Sequence, residues 1–401
     1  MSLTGVTMDT EAFVSSDRGV VRPTIHGFQA FHPAPLPRVV ELPPPTVNRL
    51  SNATAALYRL GGVGQLLPNP DLLVIPYVRA EAVLSSRIEG TVSTISDVLF
   101  MQAQDANRVR PAGDLQEVLN YLDALEHGLD RLREGLPLSL RMVKEMQHHL
   151  LRGVRGQTKR LGEFRDEPNW IGPPRCKVED ATFVPPPVEA MHAALSDWEQ
   201  FLHYDGMPLL VQLALVHYQF EAIHPFFDGN GRIGRLLVSL MLVQREALPR
   251  PLLYLSAYLE RHRTAYYRHL LAVSQTGDLL PWIEFFLDAV ITQAQDAERR
   301  TVRLVESQKS LRDTLLQAGA PTSVLMLAEN LLVNPYVTSN STMKVIGATR
   351  PTALKAIETL VDLGVLTEMT GQQRNRLYFA QDIYNTIYGD LERPEPPDRT
   401  A

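Results

Sequence analysis

His224, Asp228, Arg232 and Arg235 fall within the twelve-residue run His-Pro-Phe-Phe-Asp-Gly-Asn-Gly-Arg-Ile-Gly-Arg. Gly229, Asn230 and Gly231 let backbone N–H groups converge without side-chain obstruction, at the positive end of a helix predicted to start near Arg232. Such a nest binds phosphate. Two arginines three apart share a helix face. At a helix N-terminus each opposes the dipole by about 0.3–1 kcal/mol, so an anion must sit with them. The planar guanidinium is the side chain best shaped to fork onto phosphate oxygens, and a polyphosphate is the expected ligand. Asp228 borders the same nest, where a Mg²⁺ ion between carboxylate and phosphate would relieve the repulsion. His224 titrates near neutrality and is a candidate general base. The pattern is not a calcium loop, because Arg232 stands where an oxygen ligand is needed. No GxxxxGK[ST] run is present, which excludes a Walker-type ATPase.

These residues join two apolar stretches and need a rigid helix on either side. The stretch 208–223 is apolar nearly all round, which predicts a helix at the centre of a bundle. Helices are also predicted at 232–246, 188–203, 263–274 and 281–297, and before them at 114–134 and 139–152. Upstream, Val47, Leu50, Ala53, Ala56, Leu57 and Leu60 share one helical face, and the GGVG run at 61–64 is read as its end. A further helix over 77–89 stops at Gly90, and Ser93 or Ser96 is expected to cap the next. Residues 1–45, closed by a proline-rich run, read as an extended arm. Residues 162–187 change character and fit a small β-hairpin among helices.

The chain has 401 residues, 45% of them hydrophobic, with 39 Lys+Arg against 45 Asp+Glu and a net charge of -6. That balance disfavours a chain that wraps nucleic acid by phosphate neutralisation. The single cysteine, Cys176, excludes an internal disulfide framework and a cysteine-rich zinc site. No basic start followed by an apolar stretch marks a secretory signal, and no apolar segment is long enough to span a bilayer. A cytoplasmic protein without a membrane partner is expected.

The run His224–Arg235 resembles the signature of the Fic family, HxFx[D/E]GNGRxxR, at every specified position. GEFR, WIG and FVPPP between residues 162 and 187 resemble the family's flap, and YLERHRTAYYRHL with PWIEFFL resembles its downstream helices. The resemblance implies transfer of AMP from ATP to a Ser, Thr or Tyr hydroxyl of a target protein. It gives His224 the role of base and Asp228 that of Mg²⁺ ligand. Gly229, Asn230, Gly231, Arg232, Ile233, Gly234 and Arg235 would hold the phosphates, and Tyr266 and Tyr267 would line the adenine pocket. Gly231 stands where the family's phosphotransferase branch has Lys, which favours adenylyl transfer. Ser85-Ser-Arg-Ile-Glu89-Gly90 resembles the family's inhibitory [S/T]xxxE[G/N] helix, with Ser85 and Glu89 as its regulatory residues. Glu89 at a helix C-terminus and Arg235 at a helix N-terminus are both disfavoured by the dipoles, and pairing them would relieve both.

The expected fold is mainly α, a Fic-type helical core with a β-hairpin flap and a C-terminal winged helix-turn-helix. The expected division is 1–112 for an inhibitory region, 113–300 for the catalytic domain, 301–390 for a linker helix and winged helix, and 391–401 for a disordered tail. Between residues 321 and 390 five Lys/Arg meet six Asp/Glu, a poor footprint for DNA. Docking or homodimerisation is therefore favoured over nucleic-acid binding there. Rival functions are removal of AMP at the same site, with Glu89 placing a water, and a DNA-binding regulator.

Overall fold

The computed structural model describes residues 8–65, 71–104, 113–154, 160–372, 374–389 and 391. The predicted tail falls almost wholly outside them. The N-terminal segment is not an arm. β1 (Gly19–Pro23) and β2 (Gln29–Pro33) pair antiparallel with Val21 opposite Phe31, and Phe31 is buried against Phe13 and Phe183. Two five-residue strands leave too short an alternation to be seen without their tertiary partners.

α1 (Pro44–Gln65) runs straight through the glycines expected to stop it. Gly61 lies against Leu248 and Pro249, so packing holds the helix where propensity would fray it. α2 (Asp71–Ile88) ends before Gly90, whose φ of 100° only glycine adopts readily. α3 (Ile95–Ala103) is capped by Thr94 rather than by Ser93 or Ser96, because Asp97 at its third position closes the reciprocal capping box. α4 (Asp114–Arg133), α5 (Leu140–Leu151), α6 (Val188–Leu202), α7 (Leu209–Ile223), α8 (Asn230–Gln244), α9 (Ser256–Arg261) and α10 (Arg263–Thr276) complete the bundle. α11 (Leu280–Gln317) merges the predicted 281–297 helix with the polar stretch after residue 300 into one rod.

α7 is the centre of the bundle, as its sequence requires: every residue from Leu210 to Phe220 is buried. Most of its polar groups are paired, the His217 Nδ1 and the Glu221 Oε1 being the buried exceptions. Gln212 donates to the carbonyls of Phe201 and Tyr204, Gln219 to that of Ala34, and the His217 ring meets the Tyr266 hydroxyl at 2.7 Å. Trp198 and Trp282 donate from either side to the carbonyls of Val216 and Ala214. Between α5 and α6 the expected hairpin shrinks to one antiparallel bridge, Ile171 with Phe183. Prolines at 173, 174 and 185–187 cannot donate to a longer ladder.

The C-terminal part runs α12 (Thr322–Leu331), β3 (Tyr336–Thr338), α13 (Ser339–Ile346), α14 (Arg350–Asp362), β4 (Thr367–Glu368), β5 (Leu377–Phe379) and α15 (Gln381–Tyr388). Its sheet is antiparallel, in the order β3-β5-β4. It docks on α3: Asn334 donates to the Leu99 carbonyl at 3.0 Å, and the Ser96 and Tyr336 hydroxyls meet at 2.7 Å. Among the described residues no helix is long and apolar enough to cross a membrane.

Trp282 is fully buried beside α7 and holds both His217 and Tyr266 in ring contact. Trp282→Ala should cost about 3–5 kcal/mol through the cavity it leaves beside α7. Urea or thermal unfolding followed by circular dichroism measures it, and a loss below about 1 kcal/mol would show that α7 is not held this way.

Candidate active site

The reactive segment is the turn from α7 into α8. α7 stops at His224, which takes a left-handed conformation (φ 50°, ψ 60°) unusual for a residue with a side chain. Gly229, also left-handed at φ 87°, starts α8 two residues earlier than expected. Asn230 closes the turn, its Oδ1 accepting from the Phe226 N–H at 2.9 Å and its Nδ2 donating to the Phe226 carbonyl at 2.8 Å. Asn230 therefore shapes the phosphate seat with its side chain. The first-turn N–H groups of α8, those of Asn230, Gly231 and Arg232, have no partner within the helix. Ile233 is fully buried and its N–H bonds to the Gly229 carbonyl, so it anchors the helix from the core side.

Arg165 fixes the turn from below. Its buried guanidinium donates to the carbonyls of His224 at 3.0 Å, Pro186 at 2.5 Å and Glu167 at 3.3 Å, while its own N–H donates to the Pro225 carbonyl. Burial lowers its pKa to about 10, so it stays charged. Burial, and then the Arg165 charge, pull the His224 imidazole down to about 4 from its ordinary 6.5. At neutral pH His224 is an unprotonated ring with a lone pair to offer.

The two motif arginines have different surroundings. Arg232 is buried, donating to Glu117 of α4 at 3.0 Å and to Asp228 at 3.3 Å, with its Nε unpaired. Arg235 is buried too. It donates from Nε to the Ser85 hydroxyl at 2.8 Å, and from Nη2 to the Ser85 carbonyl at 3.0 Å and to Glu89 Oε1 at 2.6 Å. Its Nη1 has no partner. The predicted pair Glu89–Arg235 is therefore formed, with 32% of the Glu89 side chain still exposed. Desolvation pushes the Glu89 carboxyl up, but Arg235, followed by Arg232 and Arg263, outweighs it and holds the carboxyl below the usual range. The same pairing, working against burial, raises Arg235.

Glycine lets the carboxylate in. A Cβ on Gly231 would lie 2.3 Å from Glu89 Oε1, so the Glu89 carboxylate rests directly on the first turn of α8. Two further groups escape a reading of the sequence. Arg263, at the start of α10, stacks over Tyr267 and leaves its Nε unpaired. Glu221, one turn before His224, turns Oε1 against Gly234, where it is buried without a partner. The one carboxylic acid in a largely apolar helix is the available signal for Glu221; nothing in the spacing marks Arg263 or Glu117. Tyr266 is buried and bonded to His217, whereas Tyr267 is half-buried and is the one whose ring faces Arg263.

The residues present fit a triphosphate with Mg²⁺. Unpaired nitrogens of Arg232, Arg235 and Arg263 flank a helix N-terminus that already holds a carboxylate. Asp228 stands at the rim with its side chain 40% exposed. No cluster of three potential metal ligands occurs among the described residues. One carboxylate shared with phosphate oxygens is a sufficient protein contribution for Mg²⁺.

A model of the Fic/DOC family's N-terminal region matches residues 47–130, and one of the Fic/DOC family itself matches residues 137–242. The chain therefore carries a stretch matching the Fic/DOC family's N-terminal region and, after it, one matching the Fic/DOC family itself. The first match contains Ser85 and Glu89 and the second the whole Fic motif, so the Glu89–Arg235 contact joins the two matched regions. The proteins named protein adenylyltransferase Fic from Drosophila erecta and Drosophila melanogaster are each 22% identical, over 247 and 245 residues. Each alignment covers 58% of this chain and 46% of the relative, so the chain spans about half the length of the curated relatives it matches. A Fic family protein from Desulfovibrio desulfuricans superposes with a TM-score of 0.54 at 20% identity, covering 85% of this chain and 97% of that one. Fic-1 from C. elegans (residues 134–508) superposes with a TM-score of 0.50 at 20% identity, covering 66% and 75%. Both share the fold.

Arg165→Ala should orphan the Pro186 carbonyl, leave that of His224 with only its long bond from Asn169, and cost about 1–3 kcal/mol. It should also raise the His224 midpoint from about 4, because one of the two influences lowering it is gone. The folded state resists protonation of His224, so its stability falls as pH drops from 6.5 towards 4, and the variant should lose less over that interval. NMR titration of the imidazole reads the midpoint; no upward movement would separate Arg165 from the base.

Proposed function

We propose that this protein transfers AMP from ATP to a Ser, Thr or Tyr hydroxyl of a target protein, with Mg²⁺, and that Glu89 holds it inactive. One observation carries the reading: a carboxylate already rests on the N-terminus of α8 and on Arg235, the seat that a phosphate would take. His224, neutral at the rim, accepts the proton of the attacking hydroxyl as its oxygen bonds to the α-phosphorus and the bond to pyrophosphate breaks. Arg235 and the first-turn N–H groups of α8 receive the outer phosphates, and Arg232 is held in the same turn by Glu117. Mg²⁺ on Asp228 would offset the charge of the leaving pyrophosphate. Trp170 and Ile171, exposed on the flap, would receive the target segment.

While Glu89 occupies Arg235, the outer phosphates have no seat and ATP lies wrongly or not at all. Removal of AMP by a water placed on Glu89 is less favoured, because a carboxylate bound to a guanidinium is a weak base. Residues 1–112 form the inhibitory region in this reading and 113–300 the catalytic domain. Within 301–390, helices α12, α13 and α14 with the β3-β5-β4 sheet form a winged helix used for docking or homodimerisation. A cytoplasmic location accords with the single cysteine.

Glu89→Gly should raise labelling of the protein itself or of lysate proteins by α-labelled ATP at least about tenfold, the effect of about 1.4 kcal/mol. His224→Ala in that background should return it to background while ATP still binds. Mass spectrometry of labelled peptides reads both, and a Glu89→Gly protein no faster than wild type refutes the inhibitory role.

A further inference from the structure

The Glu89–Arg235 pair leaves Glu221 unexplained. Gly231 and Gly234, one turn apart on α8, each open a berth for a carboxyl group. Glu89 Oε1 lies 2.3 Å from the Cβ position of the first, and Glu221 Oε1 lies 2.6 Å from that of the second. Residues three apart on a helix face are neighbours, and Arg235 follows directly. On this face Arg235 Nη1 is a donor without an acceptor and Glu221 Oε1 an acceptor without a donor. The groups around Glu221 are Arg235 of α8, Glu89 from α2, His217 of its own α7, and Tyr266 and Tyr267 of α10. Arg235 is the one cation among them.

Charge then dictates an alternation. With Glu89 in place, Arg235 is neutralised and a second carboxylate beside it would repel the first. Glu221 accordingly keeps its proton: burial, opposed by Arg235 and reinforced by Glu89, raises it to about 8. If Glu89 withdraws, Arg235 stays buried, hydrogen-bonded to the neutral hydroxyl and carbonyl of Ser85, with the Glu81 carboxyl, raised by burial, as its other acidic neighbour from α2. A buried guanidinium without a counter-charge is costly.

We propose that Glu221 is a positioning residue that takes over as the counter-charge of Arg235 when Glu89 leaves, holding the guanidinium in place until a triphosphate displaces it. This rests on the triphosphate reading of the site. Glu221 gives its proton to solvent as Glu89 departs and regains it when the phosphates neutralise Arg235, so triphosphate binding to the released enzyme takes up one proton.

The test is a cycle of Glu89→Gly, Glu221→Gln and the double variant in the full chain. Melting temperature should drop in the double variant by about 3 °C or more beyond the sum of the single changes, as neighbouring groups couple. Adding Arg235→Met should abolish that excess, and should restore folding if the double variant fails to fold. In the Glu89→Gly background, Glu221→Gln removes the competitor for Arg235. The KM for ATP should therefore fall several-fold with kcat unchanged, whereas mere structural damage would raise it. ATP affinity of Glu89→Gly should weaken as pH rises, and that dependence should vanish with Gln at 221. Additive melting temperatures, or a KM unchanged or raised, overturn the role of Glu221. The melting arm needs no transferase activity, so it stands or falls separately from the proposed reaction.

Discussion

A guanidinium buried at the N-terminus of a helix is an arrangement that cannot persist alone. The N–H groups of α8 repel it and burial removes its water, so some anion must accompany Arg235. In this protein the anion is Glu89, reached across the bundle from the end of α2 at 2.6 Å. Much of the surrounding architecture follows from that requirement. α2 must approach α8 closely enough for Ser85 and Glu89 to meet Arg235 together. Gly90 must end α2 where the carboxylate can turn inwards, and Gly231 must lack a Cβ where the carboxylate lands.

A second constraint acts on the turn itself. His224 is held in a left-handed conformation whose cost is roughly 1–2 kcal/mol, and the neighbouring carbonyls point into the protein. Arg165 and Asn230 repay that cost with hydrogen bonds to the turn backbone, and Phe226 fills the space beneath it against Phe164. The same guanidinium that steadies the turn adds to burial in keeping His224 unprotonated, so geometry and base strength are coupled through Arg165.

Short-range rules made the α7–α8 junction legible in the sequence. An all-apolar helix must be buried, two glycines and an asparagine allow a nest, and two arginines at a helix start ask for an anion. The Glu89–Arg235 pair followed from the resemblance to the inhibitory motif, with the opposed dipoles of the two helix ends in support. What escaped depends on tertiary neighbours. α1 continues through its glycines because Leu248 packs there; the flap is reduced to one bridge because its prolines cannot donate. β1 and β2 acquire meaning only when Phe31 meets Phe13 and Phe183. Within the site, Glu117 and Arg263 lie on helices whose other charges are ordinary surface ones, and no spacing distinguishes them. Asn230 and Tyr266 were placed correctly in the chain, but their side chains serve the backbone of the turn and His217, which only packing decides.

The position of Arg79 extends the argument to the C-terminal part. It lies on α2 ten residues before Glu89, and it is buried while donating to the Val333 carbonyl at the end of α12. Tyr77, on the same helix, donates to the Ala297 carbonyl of α11, the rod that carries the chain to α12. The helix presenting Glu89 is thus hydrogen-bonded near its middle to α11 and to the end of α12. A helix is stiff over ten residues, about 15 Å, and does not absorb a displacement at one end. Any movement of α12 against α2 must shift either Arg79 or Glu89, and the Arg235 contact, with a third of the Glu89 side chain exposed, is the less enclosed of the two.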